Sequence, residues 1–449
     1  MNNRIVHVLV IITLMAIPVN IPAQQKGAGA SGELLTLDEA ISLALRDSRQ
    51  VKNARLAVGN AGDALAATRT LRLPSMHLYA LASQQLVAQD SNFDNSSSTL
   101  IPGVEPFFSI SIPRRPTAFL AGLILQPLSQ QYRIGLNIEQ AGLARDVESE
   151  KLRQVRQSTV NQVKQTYYGI LQTQSALDSL LEAIRYYREL DRVMADNVAQ
   201  QVSLKSDSLE VKTRLAQAEY EALNLTNQLT TEKEQLNNLL GRDVRVEFRV
   251  ATVPDVNGID ADLALARSRA LDQRPEVREA RLKVKQAEVD RSIKKSEYIP
   301  DVSVGFAYLT FRHFDQVVPK NTASLGVVMK WEVFDWGRKK NELAEKDRTI
   351  EQSRNGLREA ESLILIEVGD KFRKLQQTRQ ALVVAQLRQE TARENMRVSI
   401  NKYKIQAALL SDELQTQAEL AGANYQYQQA LLAFWTARAE YEKAIGADK

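Results

Sequence analysis

The sequence predicts a mainly α protein with a small β part. Its long-helix hairpins are internally duplicated, and its four strands per chain contribute to a transmembrane barrel shared between copies. Three observations carry this. Residues 128–253 and 320–449 contain no proline and are rich in helix formers. Val51-Lys-Asn-Ala-Arg-Leu56 recurs as Val277-Arg-Glu-Ala-Arg-Leu282, one of several matches at a fixed offset, the mark of a repeat. Between the helical stretches lie segments of about ten residues that alternate bulky apolar with small or polar side chains, the pattern of barrel strands.

The chain has 449 residues and a net charge of only +4. Charges of both signs are interspersed along the helical stretches, which describes a solvated helical surface rather than a nucleic-acid footprint. Cysteine is absent, excluding disulfides, cysteine-held metals and a lipid on an N-terminal cysteine. Arg4 precedes an apolar run at 5–17, then Pro18, Pro22 and Ala23. That order predicts a secretory signal over 1–23; the run is too short to span a bilayer as a helix.

A polar leader (24–35) precedes the first repeat (36–243). Thr36 and Glu39 have capping-box spacing, so a helix is expected from there to about Arg72, ending before Pro74. Strand, loop and strand follow over 75–126, with a long Ser-, Asn- and Pro-containing loop at 90–116. This loop is expected either to fold over a barrel mouth or to be a disordered surface loop. Next comes a helix of roughly 100 Å from about Tyr132 to Gln201. Its apolar seam is Val163, Tyr167, Ile170, Leu177, Leu181, Ile184, Leu190, Met194 and Val198. After a break at 201–207 a returning helix runs to Leu240 and stops at Gly241.

A linker (244–259) leads to the second repeat (260–449), with its strand–loop–strand segment at 301–333. Ala44, Leu45 and Pro74 match Ala270, Leu271 and Pro300 at an offset of 226. Past the strands the offset is 205, pairing Arg133 with Arg338, Asp207 with Asp412, and Gly241 with Gly446. Val302, Val304, Phe306 and Tyr308 form one face of a strand, as do Leu325, Val327, Met329, Trp331 and Val333. Trp331 and Trp336 are the candidate interface aromatics. Barrels of fewer than about eight strands are not known. An open four-stranded sheet in lipid leaves two unpaired edges at several kcal/mol per backbone group. That sum exceeds a domain's stability of about 5–15 kcal/mol. Several copies must therefore share one barrel.

The duplicated order of helix, strands, very long helix, break and returning helix resembles the TolC family of outer-membrane efflux channels. The most specific residues are Trp331-Glu332-Val333-Phe334-Asp335-Trp336-Gly337-Arg338, similar to that family's strand-to-helix corner. The opening helix at 35–45 and the junctions Leu73-Pro74-Ser75 and Ile299-Pro300-Asp301 are similar too. The resemblance implies a homotrimer with a twelve-stranded barrel in outer-membrane lipid and a twelve-helix periplasmic tunnel. It also implies engagement by a periplasmic adaptor (membrane fusion) protein and an inner-membrane transporter. At the tunnel tip the family often has Tyr-x-x-Gly, then an acidic residue. Here Tyr403 and Asp412 match, but Gln406 replaces the glycine and Gln201 is its first-copy counterpart. Val198 stands where a first-copy tyrosine is expected, and Ala408 where some relatives carry arginine. A tip gate held by tyrosine–arginine–aspartate bonding is therefore not expected.

Asp207 and Asp412 open the returning helices, either as an acidic ring at the narrow end or as helix N-caps, with Glu210 completing a capping box for Asp207. Lys205 lies close enough to offset their field. Gln201, Leu204, Lys205, Tyr403, Gln406 and Leu409 are the candidate tip-turn and adaptor-contact residues. The leucines around the breaks (204, 209, 409, 410, 414) are expected mainly as helix–helix core. No catalytic constellation, cofactor motif or metal-ligand cluster is evident; His77 and His313 stand apart near strand ends. The function expected is a passive exit duct for small molecules. A protein-secretion duct and a periplasmic coiled-coil adaptor or structural protein remain the alternatives.

Overall fold

The computed structural model describes residues 34–84, 86, 89–93, 108–112, 116–201, 204–252, 262–312, 321–405 and 407–447. The signal, most of the leader and Gln406 lie outside them. In the first repeat, β1 (Leu34–Leu35) precedes α1 (Leu37–Asp47), α2 (Arg49–Thr70), β2 (Ser75–Gln84), β3 (Gln89–Phe93), β4 (Phe108–Ile112) and β5 (Pro116–Pro127). Then come α3 (Gln130–Ala199), α4 (Lys205–Leu240) and β6 (Arg249–Val250). The second repeat supplies α5 (Leu263–Gln273), α6 (Pro275–Ser296), β7 (Asp301–Arg312), β8 (Asn321–Lys330), α7 (Arg338–Lys404) and α8 (Leu410–Ala444). No described helix is long and apolar enough to cross a membrane.

The 70 residues of α3 make a rod of about 105 Å. Along the expected seam, Val163, Tyr167, Ile170, Leu177, Ile184 and Met194 are buried. Leu181 departs from it at 42 % exposure. Side by side, α2, α3, α6 and α7 form one layer nearer the strands, while α4, α3, α8 and α7 form the layer beyond. The end helices are α2 and α7 in the first layer and α4 and α7 in the second.

The opening helix is two helices rather than one. Thr36 and Glu39 form the expected capping box, but the helix breaks at Ser48, and the second copy breaks at Arg274. The cause is docking. Gly241 and Gly446, both left-handed (φ 74° and 80°), bring the ends of the returning helices against the backbone of these two breaks. A Cβ on Gly241 would lie 2.7 Å from the Asp47 carbonyl carbon, and one on Gly446 3.1 Å from that of Gln273. Arg274 fills its break almost fully buried. It pairs with Glu276 (2.9 Å) and Glu367 (2.9 Å), and its Nη1 lies 3.3 Å from the Lys443 carbonyl. Nearby, leader and linker meet: β1 and β6 pair in parallel, with the Tyr167 hydroxyl 2.9 and 2.8 Å from the carbonyls of Leu35 and Ala251. Burial pushes that hydroxyl up to about 12.

Four of the strands form one antiparallel sheet in the order β2–β5–β7–β8, with β2 and β8 as its edges. Its register repeats the duplication. Adding 226 to Ser75 and 205 to Leu125, an observed pair, gives Asp301 and Lys330, also a pair. Val302, Val304, Phe306 and Tyr308 share a face with Met329, Val327 and Leu325, and with Met76 and Leu78. Leu78, Leu325 and Val327 on that face are 73 %, 75 % and 68 % exposed. The strand expected to reach Val333 ends at Lys330, because the chain turns there into a corner. The loop at 90–116 is not wholly irregular, since β3 and β4 pair as a ribbon; its residues 94–107 and 113–115 lie outside the described residues.

Candidate functional site

Two places carry the features expected of a conduit, the corner beneath the sheet and the far tip of the helical hairpins. At the corner, Trp336 (φ 54°) and Gly337 (φ 82°) are successive left-handed residues that swing the chain from strand into α7. Asp335 secures the turn: its carboxylate accepts from the Gly337 N–H (3.1 Å) and the Lys339 N–H (3.0 Å). These backbone donors, Lys339 foremost, hold its carboxyl below its ordinary value. Arg338 pairs with Glu332 (2.6 Å) and Glu342 (3.1 Å). The sequence Phe-Asp-Trp-Gly-Arg is thus a device for starting a helix at a sharp turn. Phe334 and Trp336 stack edge-on (4.8 Å) with Trp336 89 % exposed, while Trp331, just past β8, is 53 % exposed.

The first-copy corner is different in chemistry. Ser129 Oγ donates to the Pro300 carbonyl (2.7 Å) and accepts from the Val302 N–H (2.7 Å). Arg133 meets both carboxylate oxygens of Asp301 (2.8 and 2.9 Å). The Leu128 N–H extends the β5–β7 ladder to the Val302 carbonyl (2.9 Å).

At the first tip, α3 ends at Ala199 and Gln201 is left-handed (φ 59°), a conformation usual for glycine. The returning helices begin earlier than expected. Leu204 and Leu409, not the aspartates, occupy the N-cap positions. Asp207 and Asp412 each sit three residues in, and the Asp207–Glu210 capping box does not form. The Asp207 carboxylate accepts from Ser206 Oγ (3.2 Å), and that of Asp412 reaches back to the Leu409 N–H (3.1 Å). Glu210 instead faces Arg214 at 3.7 Å. Asp207 is half-buried and Asp412 exposed; both lie in the first helical turn, where negative charge is favoured by the helix dipole. Lys205 is exposed, and Tyr403 half-buried. Leu204 (68 %), Leu209 (55 %) and Leu409 (71 %) are exposed, correcting the core reading for these three. Leu414 is half-buried.

One polar contact near the tip was not anticipated. The Tyr186 hydroxyl on α3 donates to Glu413 Oε1 on α8 (3.0 Å). Glu413 is buried, and its Oε2 has no partner among the described residues. Burial, then the adjacent Glu413 charge, pushes the tyrosine hydroxyl well above its ordinary value. The sequence carried no signal for it, since the equivalent first-copy residue is the uncharged Ser208, although the structure buries that position too. No group of three or more potential metal-ligating residues occurs among the described residues.

A family model, outer membrane efflux protein, matches residues 40–242 and 266–447. The outer-membrane protein VceC of Vibrio cholerae superposes with a TM-score of 0.71 at 14 % identity, over 91 % of this chain and 96 % of that one. The CmeC outer membrane channel of Campylobacter jejuni gives 0.76 at 14 % identity, over 92 % and 86 %. An uncharacterised protein of Haemophilus influenzae is 21 % identical over 220 residues, 47 % of this chain. The match spans about half the length of that curated relative (48 %). Neither the duplication nor the family match fits a periplasmic adaptor. The chain belongs to the outer membrane efflux protein family.

Proposed function

We propose that three copies of this chain close into one tube, a passive exit duct crossing the outer membrane and continuing through the periplasm. One observation carries the reading: the four-stranded sheet is open at both edges, β2 and β8. Four alternating antiparallel strands leave those edges running in opposite directions, so β8 of one copy can pair antiparallel with β2 of the next. Such head-to-tail contacts close into a ring. The sheet alone requires two or more copies; three is the number implied by the family resemblance. The exposed apolar face of the sheet fits lipid, and Trp331 and Trp336 fit the membrane–water boundary beneath it.

The chain has no phosphate-binding glycine loop, so the driving energy is assigned to an inner-membrane transporter acting through a periplasmic adaptor. The exposed tip residues Gln201, Leu204, Lys205 and Leu409, with Tyr403 and, from the sequence, Gln406, are the proposed adaptor contact. Asp207 and Asp412 supply the proposed acidic ring. Cross-linking in membranes followed by purification tests the coupling. Recovery of an adaptor and an inner-membrane pump is expected. Loss of both with Leu204→Asp/Leu409→Asp, while the mass of the assembled copies is unchanged, would locate the contact. Recovery of the chain alone would contradict the tripartite reading.

A further inference from the structure

At one place the two copies differ sharply in charge. In the first repeat α1, α2 and α3 line a cleft of about 610 Å³ that carries Arg46, Arg55, Arg153 and Arg156, with Ser42 and Gln157 beside them. Adding 226 to residues of α1 and α2, and 205 to those of α3, gives the same place in the second repeat. There Asp272 replaces Arg46 and Glu361 replaces Arg156, while Arg281 and Arg358 keep the other two arginines. The second-copy place neutralises itself, since Arg281 pairs with Glu361 at 3.5 Å. The surrounding segments differ in the same sense. Residues 46–55 carry four cations and one carboxylate, against three of each at 272–281. Residues 153–157 carry two cations and no carboxylate, against one cation and two carboxylates at 358–362.

Two of the four arginines are engaged. Arg46 pairs with Asp47 (2.8 Å), which Lys52 also approaches (3.2 Å), and Arg153 lies 3.7 Å from Glu150. Arg55 and Arg156 are exposed and have no carboxylate partner among the described residues. On α6 the residues that meet the first repeat are Glu276 and Asp290, beside Gln154 (3.4 Å) and Gln140 (3.5 Å), whereas Arg281 turns to α7 of its own repeat. Arg55, the equivalent of Arg281, is thus off the face that α2 would offer a second copy. Arg153 and Arg156 lie roughly 35–40 Å along α3 from the end of β5, beyond the reach of a lipid headgroup layer at the foot of the sheet. A guanidinium group presents a planar fork of donors that matches phosphate or carboxylate oxygens two at a time, and a cleft of this volume admits a ligand of drug size. We infer that the cleft between α1, α2 and α3 binds a periplasmic anion carrying two or more phosphate or carboxylate groups, held by Arg55 and Arg156. The site belongs to the single chain; only its periplasmic placement rests on the duct reading.

Calorimetric titration of the detergent-extracted protein at constant ionic strength tests the site with two probes, sodium tripolyphosphate and a hexaglutamate peptide. Saturable binding of at least one is expected, and which of them binds separates a phosphate source from an acidic peptide. Arg55→Gln/Arg156→Gln should weaken that binding about ten-fold or more, the effect of losing a charge-assisted hydrogen bond. Arg156→Glu, which copies the second repeat, should abolish it without lowering the thermal midpoint. Arg348→Gln/Arg393→Gln removes the same charge from exposed positions of α7 outside the cleft and should bind as the unaltered protein does. Native mass is read for every variant; a single-chain mass would end the trimer reading and leave the titration valid. No binding of either probe up to about 1 mM, or equal losses in the cleft and control variants, would overturn the inference. So would binding that appears only with Asp448→Asn. Gln157 Nε2 donates to the carbonyl of Gly446 (3.3 Å), two residues before Asp448, which lies outside the described residues, and the chain itself would then be the occupant.

Discussion

The Tyr186–Glu413 contact makes the sharpest residue-scale prediction. Removing the hydroxyl leaves a buried carboxylate with no described partner on either oxygen, a loss of about 1–3 kcal/mol. Tyr186→Phe should lower the thermal midpoint, and Glu413→Gln, which keeps a carbonyl acceptor for the hydroxyl, should lower it less. Equal midpoints for all three proteins would refute a structural role. For the tip, a ring of aspartates presents one sign of charge at the narrow end and favours cations there. Asp207→Ala/Asp412→Ala is expected to raise anion conductance in planar bilayers, and unchanged ion selectivity would remove the ring. The Thr36 backbone N–H, then its hydroxyl, hold the Glu39 carboxyl below its ordinary value. A depressed folded-state value means stabilisation that is complete above the unfolded-state value and fades as pH falls through the folded one. The stability gap between the native protein and Glu39→Gln should therefore be complete at neutral pH and shrink progressively as pH falls below about 4.3. A gap that persists or grows in acid would contradict the capping account.

At the scale of elements, the two breaks and the two left-handed glycines are one device used twice. An alanine in the left-handed region is unfavourable by roughly 1–2 kcal/mol. At Gly241 the added carbon also meets backbone closer than at Gly446, and backbone cannot rotate away. Gly241→Ala should consequently destabilise more than Gly446→Ala, and equal melting shifts would argue that the returning helices are not seated on the breaks. The breaks were only half legible in sequence. Pro275 at the first position of α6 marks one, whereas Arg49 in the same place of the first copy marks nothing. The helix starts at Leu204 and Leu409 escaped for a related reason: leucine offers no side-chain acceptor, so the acidic residues three places on drew the N-cap reading instead.

For the whole molecule, the features that were legible are those a repeat and a period reveal. Proline-free stretches gave the long rods, the offsets of 226 and 205 gave the duplicated order, and alternation gave the apolar face of β7 and β8. Burial at the ends of the rods was not legible. Leu204, Leu209 and Leu409 are apolar like core residues, yet in a wall one layer thick an apolar side chain can face a neighbouring copy, a partner or solvent. Only the folded chain shows that they lack an internal mate. The same ambiguity hid the difference between the polar joint at Ser129 and Arg133 and the apolar corner at Phe334 and Trp336. The account as a whole requires the chain to be incomplete alone, and mass spectrometry of the detergent-extracted protein under native conditions tests this most directly. The predicted result is a single species at three times the mass of the processed chain, whose full-length form is 50.3 kDa; a stable species at the mass of one chain would contradict it.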